Sequence, residues 1–137
     1  MKKCPKCGES KEPNMFHSDI TRSDKKDRIC KECSRIYRKI YDQTLKGRYV
    51  MYKKCARHRG YTFTLTMDDF IKFWNKDCHY CGDKIEGIGL DRINNSIGYE
   101  VSNVVPCCEI CNYMKQSSSK KSFISQCKKI IRFQKCK

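Results

Sequence analysis

The chain has 137 residues, of which 39% are hydrophobic, and its 30 Lys and Arg outnumber its 15 Asp and Glu, for a formal net charge of +15. A chain of this length and polarity forms one domain or two very small ones and excludes a large hydrophobic core. No stretch approaches the length of a membrane-spanning helix, so we expect no membrane partner. The excess of positive charge instead favours a polyanionic partner, because each phosphate contact releases counterions and adds affinity.

Cysteine is the second unusual feature of the composition, with 12 residues in the chain. The first ten residues, MKKCPKCGES, are polar and lack the apolar run of a signal peptide, so we expect a cytoplasmic, reducing location. Thiols that stay reduced bind metal rather than form disulfides. The cysteines therefore predict structural zinc sites, which supply the stability that a small core cannot.

The first zinc site is predicted from two Cys-x-x-Cys pairs near the N-terminus, which are separated by 22 residues. Each pair is typical of a tight knuckle, and two knuckles complete a tetrahedral site of four thiolates. The predicted ligands of this site are Cys4, Cys7, Cys30 and Cys33.

Two helices are predicted next, over residues 31–45 and about 48–59, with Gly47 as the break between them. Residues 34–60 carry nine Lys and Arg and a single acid, Asp42. We expect the tyrosines of this region in the core and its charges on a DNA phosphate backbone or in a groove. The predicted DNA-binding residues of the chain are Arg35, Arg38, Lys39, Arg48, Lys53, Lys54, Arg57 and Arg59, together with Lys115 farther along.

The following segment is predicted to be scaffold. Residues 61–65 alternate between polar and apolar side chains, which predicts a strand. Thr66 and Asp69 then resemble a capping box, and Phe70 lies on the apolar side of a short helix.

A third knuckle, residues 78–82 with the sequence CHYCG, has its partner in a Cys-x-x-Cys pair after 26 intervening residues. This spacing predicts a second closed zinc site. Its predicted ligands are Cys78, Cys81, Cys108 and Cys111. The four remaining cysteines lack a paired spacing, and we expect them to be ordinary buried or surface thiols.

The last Cys-x-x-Cys pair belongs to a compact ββα unit. Residues 90–93 and 101–106 are predicted strands joined by Asn- and Gly-rich turn residues, and a helix over residues 108–114 begins with Cys-x-x-Cys. A last helix is predicted to begin at Ser122. The predicted fold is a small, zinc-stapled α+β protein with an N-terminal zinc and DNA-binding domain (1–60) and a ββα domain (61–137).

Residues of this unit resemble the signature of the ββα-metal, or HNH, endonucleases. The matching positions are Asp91-Arg92 on the first strand, Asn103 before the second, and Cys108-Glu109-Ile110-Cys111-Asn112 at the helix start. Over the whole chain, the N-terminal Cys-Pro-x-Cys and the Cys-x-Tyr-Cys-Gly knuckle resemble the compact zinc-bearing restriction endonucleases of that family. The resemblance implies two structural zinc ions and a homodimer that cuts double-stranded DNA at a palindrome.

The sequence departs from the family signature at two histidines. Arg92 stands where the family has its general base, and Asn112 stands where it has a metal ligand. Asp91 and Asn112 are then the expected ligands of one catalytic Mg²⁺ or Mn²⁺, since carboxylate and amide oxygens suit hard cations. Asn103 resembles the family asparagine that fixes the loop between the strands.

The departure at Arg92 moves the proton-transfer role to another residue. Arginine cannot accept a proton at physiological pH, so we expect Arg92 to hold a phosphate. Tyr80 is the predicted general base or nucleophile, because the second zinc brings its knuckle close to Asn112. A cation and Arg92 nearby are expected to lower the pKa of Tyr80 from about 10. His79 is the second candidate for this role and His58 the third.

Three functions remain open. The first is a site-specific, metal-dependent endonuclease of double-stranded DNA, as in a type II restriction enzyme. The second is a phage or homing-type enzyme that nicks DNA with the same site. The third is a zinc-finger protein that binds DNA without cutting it. The combination of Asp91, Arg92 and Asn112 favours an enzyme, because a binding finger has no use for that set.

Overall fold

The chain divides into two compact units, Met1–Thr44 and Leu45–Lys137. The computed structural model describes residues 1–136, so that Lys137, the last residue of the predicted second domain, lies outside the described part. The predicted boundary at residue 60 differs from this division. The reason is the helix over Leu45–His58, whose Tyr49, Tyr52 and Ala56 pack into the core of the second unit.

The first unit consists of two small antiparallel hairpins and one helix. Its elements are β1 (Lys2–Lys3), β2 (Ser10–Lys11), β3 (Phe16–Ser18), β4 (Lys26–Cys30) and α1 (Lys31–Gln43). Its buried residues are Cys4, Phe16 and Cys30. With so few apolar side chains inside, this unit depends on its cysteines for stability.

The chain leaves α1 at Thr44. The backbone there is extended, and both the N–H and the hydroxyl of Thr44 donate to the Tyr41 carbonyl, which ends the helix. The prediction that Gly47 breaks the helix is wrong, because Gly47 is buried inside the next helix. Glycine usually destabilises the middle of a helix by about 0.5–1 kcal/mol, but the absence of a side chain allows close packing where the backbone is buried, as it is at Gly47.

The described part of the second unit, residues 45–136, contains four helices and one two-stranded ribbon. Its elements are α2 (Leu45–His58), α3 (Met67–Ile71), β5 (Leu90–Arg92), β6 (Val104–Pro106), α4 (Glu109–Lys115) and α5 (Lys120–Lys135), with a 3₁₀ turn over Val101–Asn103. β5 and β6 are antiparallel, and Asp91 pairs with Val105. The predicted ββα order is thus confirmed, with the first half of the predicted second strand in the 3₁₀ turn.

Aromatic residues dominate the core of the second unit. Phe70 is fully buried and makes edge-on ring contacts with Tyr49 and Tyr52, at centroid distances of 5.3 and 5.6 Å. The predicted capping box is present, since Thr66 and Asp69 bond to each other's backbone N–H. The predicted strand over residues 61–65 is reduced to one isolated bridge.

The last helix begins earlier than predicted. Ser119 rather than Ser122 is its N-cap, and the Ser119 hydroxyl accepts the Ser122 N–H at 3.1 Å. None of the helices in the described part of the chain combines the length and the apolar character that crossing a bilayer requires.

We predict that Phe70→Ala lowers the free energy of unfolding of the second unit by about 3–5 kcal/mol, because it removes a fully buried ring and leaves a cavity. Ile71→Ala is the matched control, since this neighbour on α3 is 52% exposed and its loss is expected to cost about 0.5 kcal/mol. Urea unfolding of zinc-loaded protein, followed by circular dichroism, measures both. Equal losses in the two variants would contradict the assigned core.

Candidate active site and zinc centres

Four thiols of the first unit converge at the end of its longer hairpin. The sulfur atoms of Cys4, Cys7, Cys30 and Cys33 all lie within 4.8 Å of one another. β4 ends at Cys30, whose N–H donates to the Cys4 sulfur at 3.4 Å, and Cys33 stands on the first turn of α1. The backbone hydrogen bond from Cys30 lowers the pKa of Cys4 to about 6, so this ligand ionises readily.

A second group of four thiols joins the knuckle before β5 to the helix after β6. The sulfur atoms of Cys78, Cys81, Cys108 and Cys111 also lie within 4.8 Å of one another. The knuckle closes through a hydrogen bond from the Gly82 N–H to the Cys78 carbonyl, with Gly82 at φ +81°. Cys108 is the N-cap of α4, and its sulfur accepts the Cys111 N–H.

Both groups fit zinc. Zn–S bonds of about 2.3 Å in a tetrahedron separate the sulfurs by about 3.8 Å. The sulfurs of Cys81 and Cys108 are 3.7 Å apart. Burial opposes ionisation of Cys78, but backbone N–H groups, that of Cys108 foremost, lower its pKa to about 6. The two Cys₄ groups could therefore hold two zinc ions.

Asp91 is the focus of the polar contacts in the second unit. Its side chain lies on β5 and only 4% of it is exposed. One carboxylate oxygen accepts the Tyr80 hydroxyl at 2.6 Å. The other contacts the Lys115 ammonium at 3.1 Å. The knuckle, β5 and α4 thus meet at one carboxylate.

Tyr80 is held by rings on either side of it. It makes edge-on contacts with Phe123 of α5 and with His79, at centroid distances of 5.5 and 5.2 Å. Burial, together with the hydrogen bond to Asp91, raises the pKa of Tyr80. The charged partner of the phenol is a carboxylate, which acts against the lowering of the pKa expected from a bound cation, and that lowering stays a prediction.

Arg92 follows Asp91, and contacts with a ring and with the backbone fix the orientation of its guanidinium. The Cζ atom lies 3.6 Å from the centroid of the Tyr61 ring. Nη1 donates to the carbonyls of Asn95 and Ile97 at 3.0 and 2.9 Å. These two bonds use one nitrogen of a group with five N–H donors, which leaves Nε and Nη2 to bind an anion.

The buried side chain of Asn103 closes the loop between the two strands. Its Oδ1 accepts the Asn94 N–H at 2.9 Å. Its Nδ2 donates to the carbonyls of Asn94, Ile97 and Gly98. The loop that also bonds Arg92 is therefore held from inside.

Asn112 lies on α4 and contacts the strand that carries Asp91. Its amide nitrogen donates to the Leu90 carbonyl at 3.4 Å, which leaves the amide oxygen as the atom that can bind a metal. Leu90 directly precedes Asp91 on β5, so the Asn112 amide contacts the strand one residue before the carboxylate. A carboxylate and an amide oxygen fit a hard cation such as Mg²⁺ or Mn²⁺.

Lys115 was expected on the DNA-contacting surface, whereas the structure buries it completely. Its relative exposure is 0%, and its ammonium contacts Asp91 and the Arg92 carbonyl. Sequence reasoning missed this role. The available signal was the spacing to Asn112, because residues three apart lie on one face of a helix.

The other predicted DNA-binding residues lie on α1, on α2 and directly after α2. The exposed ones are Arg35, Arg38 and Lys39 in the first unit and Lys53, Lys54, Arg57 and Arg59 in the second, and Arg48 is half-buried. Part of the second group lines an open cavity of about 650 Å³, with Lys53, Lys54 and Arg57 beside Tyr61. The same Tyr61 ring supports Arg92.

The two alternative bases lie outside the contacts of Asp91 in the described part of the chain. His79 is exposed, and its Nε2 lies 2.6 Å from the Lys120 ammonium. His58 is exposed at the end of α2. Of the three candidates, Tyr80 is the one that touches the buried carboxylate.

No family model matches the chain. Over 95 residues, 68% of its length, the chain is 37% identical to the uncharacterized protein R423 of Acanthamoeba polyphaga mimivirus. The chain spans 18% of the length of this curated relative. Among solved structures it is similar to the rare-cutting HNH restriction endonuclease PacI, with 21% identity, a TM-score of 0.49, and coverage of 90% of this chain and 88% of the other.

We predict two zinc ions per chain after exhaustive dialysis, because each closed group of four thiolates binds tightly. Cys108→Ser removes a ligand of the second group and is expected to reduce the content to one. Cys55→Ser is the control, since Cys55 is exposed and belongs to neither group. Elemental analysis measures the metal, and fewer than two zinc ions in the parent protein would refute the assignment.

Proposed function

We propose that the chain is a metal-dependent DNA endonuclease of the ββα-metal (HNH) class. The observation that carries the proposal is the buried carboxylate of Asp91, which the ββα unit holds between Tyr80 and Lys115. A finger that only presents a helix to DNA has no use for a buried carboxylate flanked by Arg92 and Asn112. Metal-dependent phosphodiester hydrolysis uses a ligand for the metal ion, a positively charged side chain that binds the phosphate, and a group that transfers a proton. Asp91, Arg92 and Tyr80 can fill these three roles.

Asp91 and Asn112 would hold one Mg²⁺ or Mn²⁺ through their carboxylate and amide oxygens. Such an ion, when bound, polarises the scissile phosphate and stabilises the departing 3′ oxygen. Asp91 supplies the negative charge, and the hydrogen bond to Leu90 orients Asn112. The two zinc groups have no open position once four thiolates bind, so we assign them a structural role.

Arg92 is the proposed phosphate-binding residue. Stacking on Tyr61 and two bonds to backbone carbonyls fix its guanidinium, so little side-chain entropy remains to be lost when an anion binds. Nε and Nη2 can then donate a pair of hydrogen bonds to two phosphate oxygens. This role suits the departure from histidine at this position.

Tyr80 is the proposed proton acceptor or nucleophile. Because its pKa is raised, the phenol keeps its proton near neutral pH, and phenolate forms only when positive charge near Asp91 stabilises it. The geometry in favour of Tyr80 is its 2.6 Å contact with the carboxylate. His79 remains the alternative, as an exposed imidazole on the same knuckle.

The exposed cations of α2 support double-stranded DNA as the substrate. Lys53, Lys54 and Arg57 line an open cavity whose wall includes Tyr61. Because Tyr61 also supports Arg92, a duplex bound along these cations would bring a phosphate to the guanidinium. The formal net charge of +15 adds affinity that does not depend on sequence.

We further propose that a homodimer cuts both strands. The two strands of a palindrome are related by a twofold axis, so a symmetric pair of chains presents one Asp91 site to each strand. A type II restriction enzyme is the role that this arrangement favours. A phage or homing-type nicking enzyme would use the same site as a single copy.

We predict that the parent protein cuts phage genomic DNA into discrete fragments in Mg²⁺ or Mn²⁺ and that Asp91→Asn lowers the rate by more than about 10²-fold, because the charged metal ligand is lost. DNA affinity, measured by gel shift, should be unchanged. Asp68→Asn is the matched control, since Asp68 is an exposed carboxylate on α3. DNA that stays intact with the parent protein and either metal would identify a DNA-binding protein instead.

We predict that Tyr80→Phe keeps both zinc ions and DNA affinity but lowers cleavage by about 10²-fold or more, the usual loss of a general base. The ring contacts with Phe123 and His79 survive this change, so the fold should too. His79→Ala is expected to cut at the parental rate. The opposite pattern, with an active Tyr80→Phe and an inactive His79→Ala, would assign the proton transfer to His79.

A further inference from the structure

Lys115 is the one fully buried cation among the described residues. Its ammonium contacts Asp91 Oδ1 at 3.1 Å and the Arg92 carbonyl at 3.3 Å. A charge that leaves water loses a large hydration energy, and an ion pair recovers it only when its geometry is good. The complete burial of the Lys115 ammonium is therefore energetically costly and calls for an explanation.

The carboxylate that Lys115 contacts indicates what the buried charge does. The ammonium lies against the carboxylate that is the proposed ligand of the divalent cation. The other carboxylate oxygen accepts the Tyr80 hydroxyl, so both oxygens of Asp91 are in use. The Lys115 ammonium lies 3.1 Å from the carboxylate. A divalent ion bound to the same carboxylate would lie close to this ammonium, and the two positive charges would repel each other.

We propose that Lys115 is a built-in counter-ion of Asp91, which holds the carboxylate in place until a divalent cation competes for it. The inference rests on the proposed function, because it takes Asp91 as the metal ligand. Lys115 is thus a positioning residue, since it acts on the reaction through Asp91.

The position of Lys115 in the fold suits such an exchange. It is the last residue of α4, and Gln116 beyond it has the unusual backbone angle φ +47°. The ammonium has three N–H donors, and its contact with the Arg92 carbonyl provides a second acceptor. The lysine can therefore release Asp91 while it keeps a hydrogen bond at the site.

The test is Mn²⁺ binding to Lys115→Met, a neutral side chain of similar length. Zinc-loaded protein is titrated by calorimetry in buffer freed of other divalent ions by resin, because a soluble chelator would remove the zinc. We expect Mn²⁺ to bind about tenfold tighter to Lys115→Met than to the parent, since the competing charge is gone. Lys121→Met, which removes an exposed lysine, controls for net charge and is expected to bind like the parent.

A thermal melt gives a second readout that does not depend on activity. Without Mn²⁺, Lys115→Met leaves a buried carboxylate without its cation and should melt below the parent, and Mn²⁺ should raise its Tm more than that of the parent. If Lys115→Met fails to fold, the Asp91→Asn/Lys115→Met double variant removes both charges. That variant should then fold, which identifies the unpaired charge as the cause.

The outcomes separate this inference from the proposed function. Mn²⁺ that binds the parent and binds Lys115→Met equally or more weakly would overturn the counter-ion role and leave the endonuclease standing. Mn²⁺ that binds neither protein, with no DNA cleavage, would overturn both. If the losses of stability of Asp91→Asn and Lys115→Met add up to that of the double variant, Asp91 and Lys115 are not coupled, which would also overturn the inference.

Discussion

The four thiols of Cys78, Cys81, Cys108 and Cys111 are the constraint on which the second unit depends. They join a knuckle and the start of a helix that are separated by 26 residues, and the intervening segment contains the whole β5–β6 ribbon. A bond from the His79 N–H to the Pro106 carbonyl ties the knuckle to the end of β6. The knuckle, the ribbon and α4 are thereby positioned by one small cluster, and the site residues they carry meet without a large core.

The helix α2 combines two tasks that sequence alone would assign to different elements. One face is structural: Tyr52 packs against Phe70, and its hydroxyl accepts the Leu90 N–H at 3.0 Å, directly before Asp91. Another face exposes Lys53, Lys54 and Arg57, which line the cavity beside Tyr61. The same helix therefore supports the strand that carries Asp91 and presents the charges proposed to bind DNA.

The elements that depend on local spacing could be predicted from the sequence, and those that depend on tertiary contacts could not. Cys-x-x-Cys pairs fix their ligands within a few residues, so both thiol groups were predictable, as was the ββα order. The burial of Lys115 was not, because its spacing to Asn112 indicates a shared helix face but not the contact with Asp91, which lies on another element. The raised pKa of Tyr80 was missed for a similar reason: it depends on Asp91, a residue eleven positions away. The first unit ends at Thr44 because α2 packs its tyrosines into the second core, which helical periodicity alone does not show.

Anomalous diffraction can show whether Asp91 binds the divalent cation that we propose for this site. Crystals of the zinc-loaded protein would be soaked in MnCl₂ and measured just above and just below the manganese absorption edge, where the anomalous signal of manganese changes sharply and that of zinc does not. We expect a peak about 2.1 Å from an Asp91 carboxylate oxygen, near Asn112, with the Lys115 ammonium moved away from Oδ1. A saturating soak that leaves no peak at Asp91, with Lys115 still in contact with the carboxylate, would rule out Asp91 as a ligand of the cation.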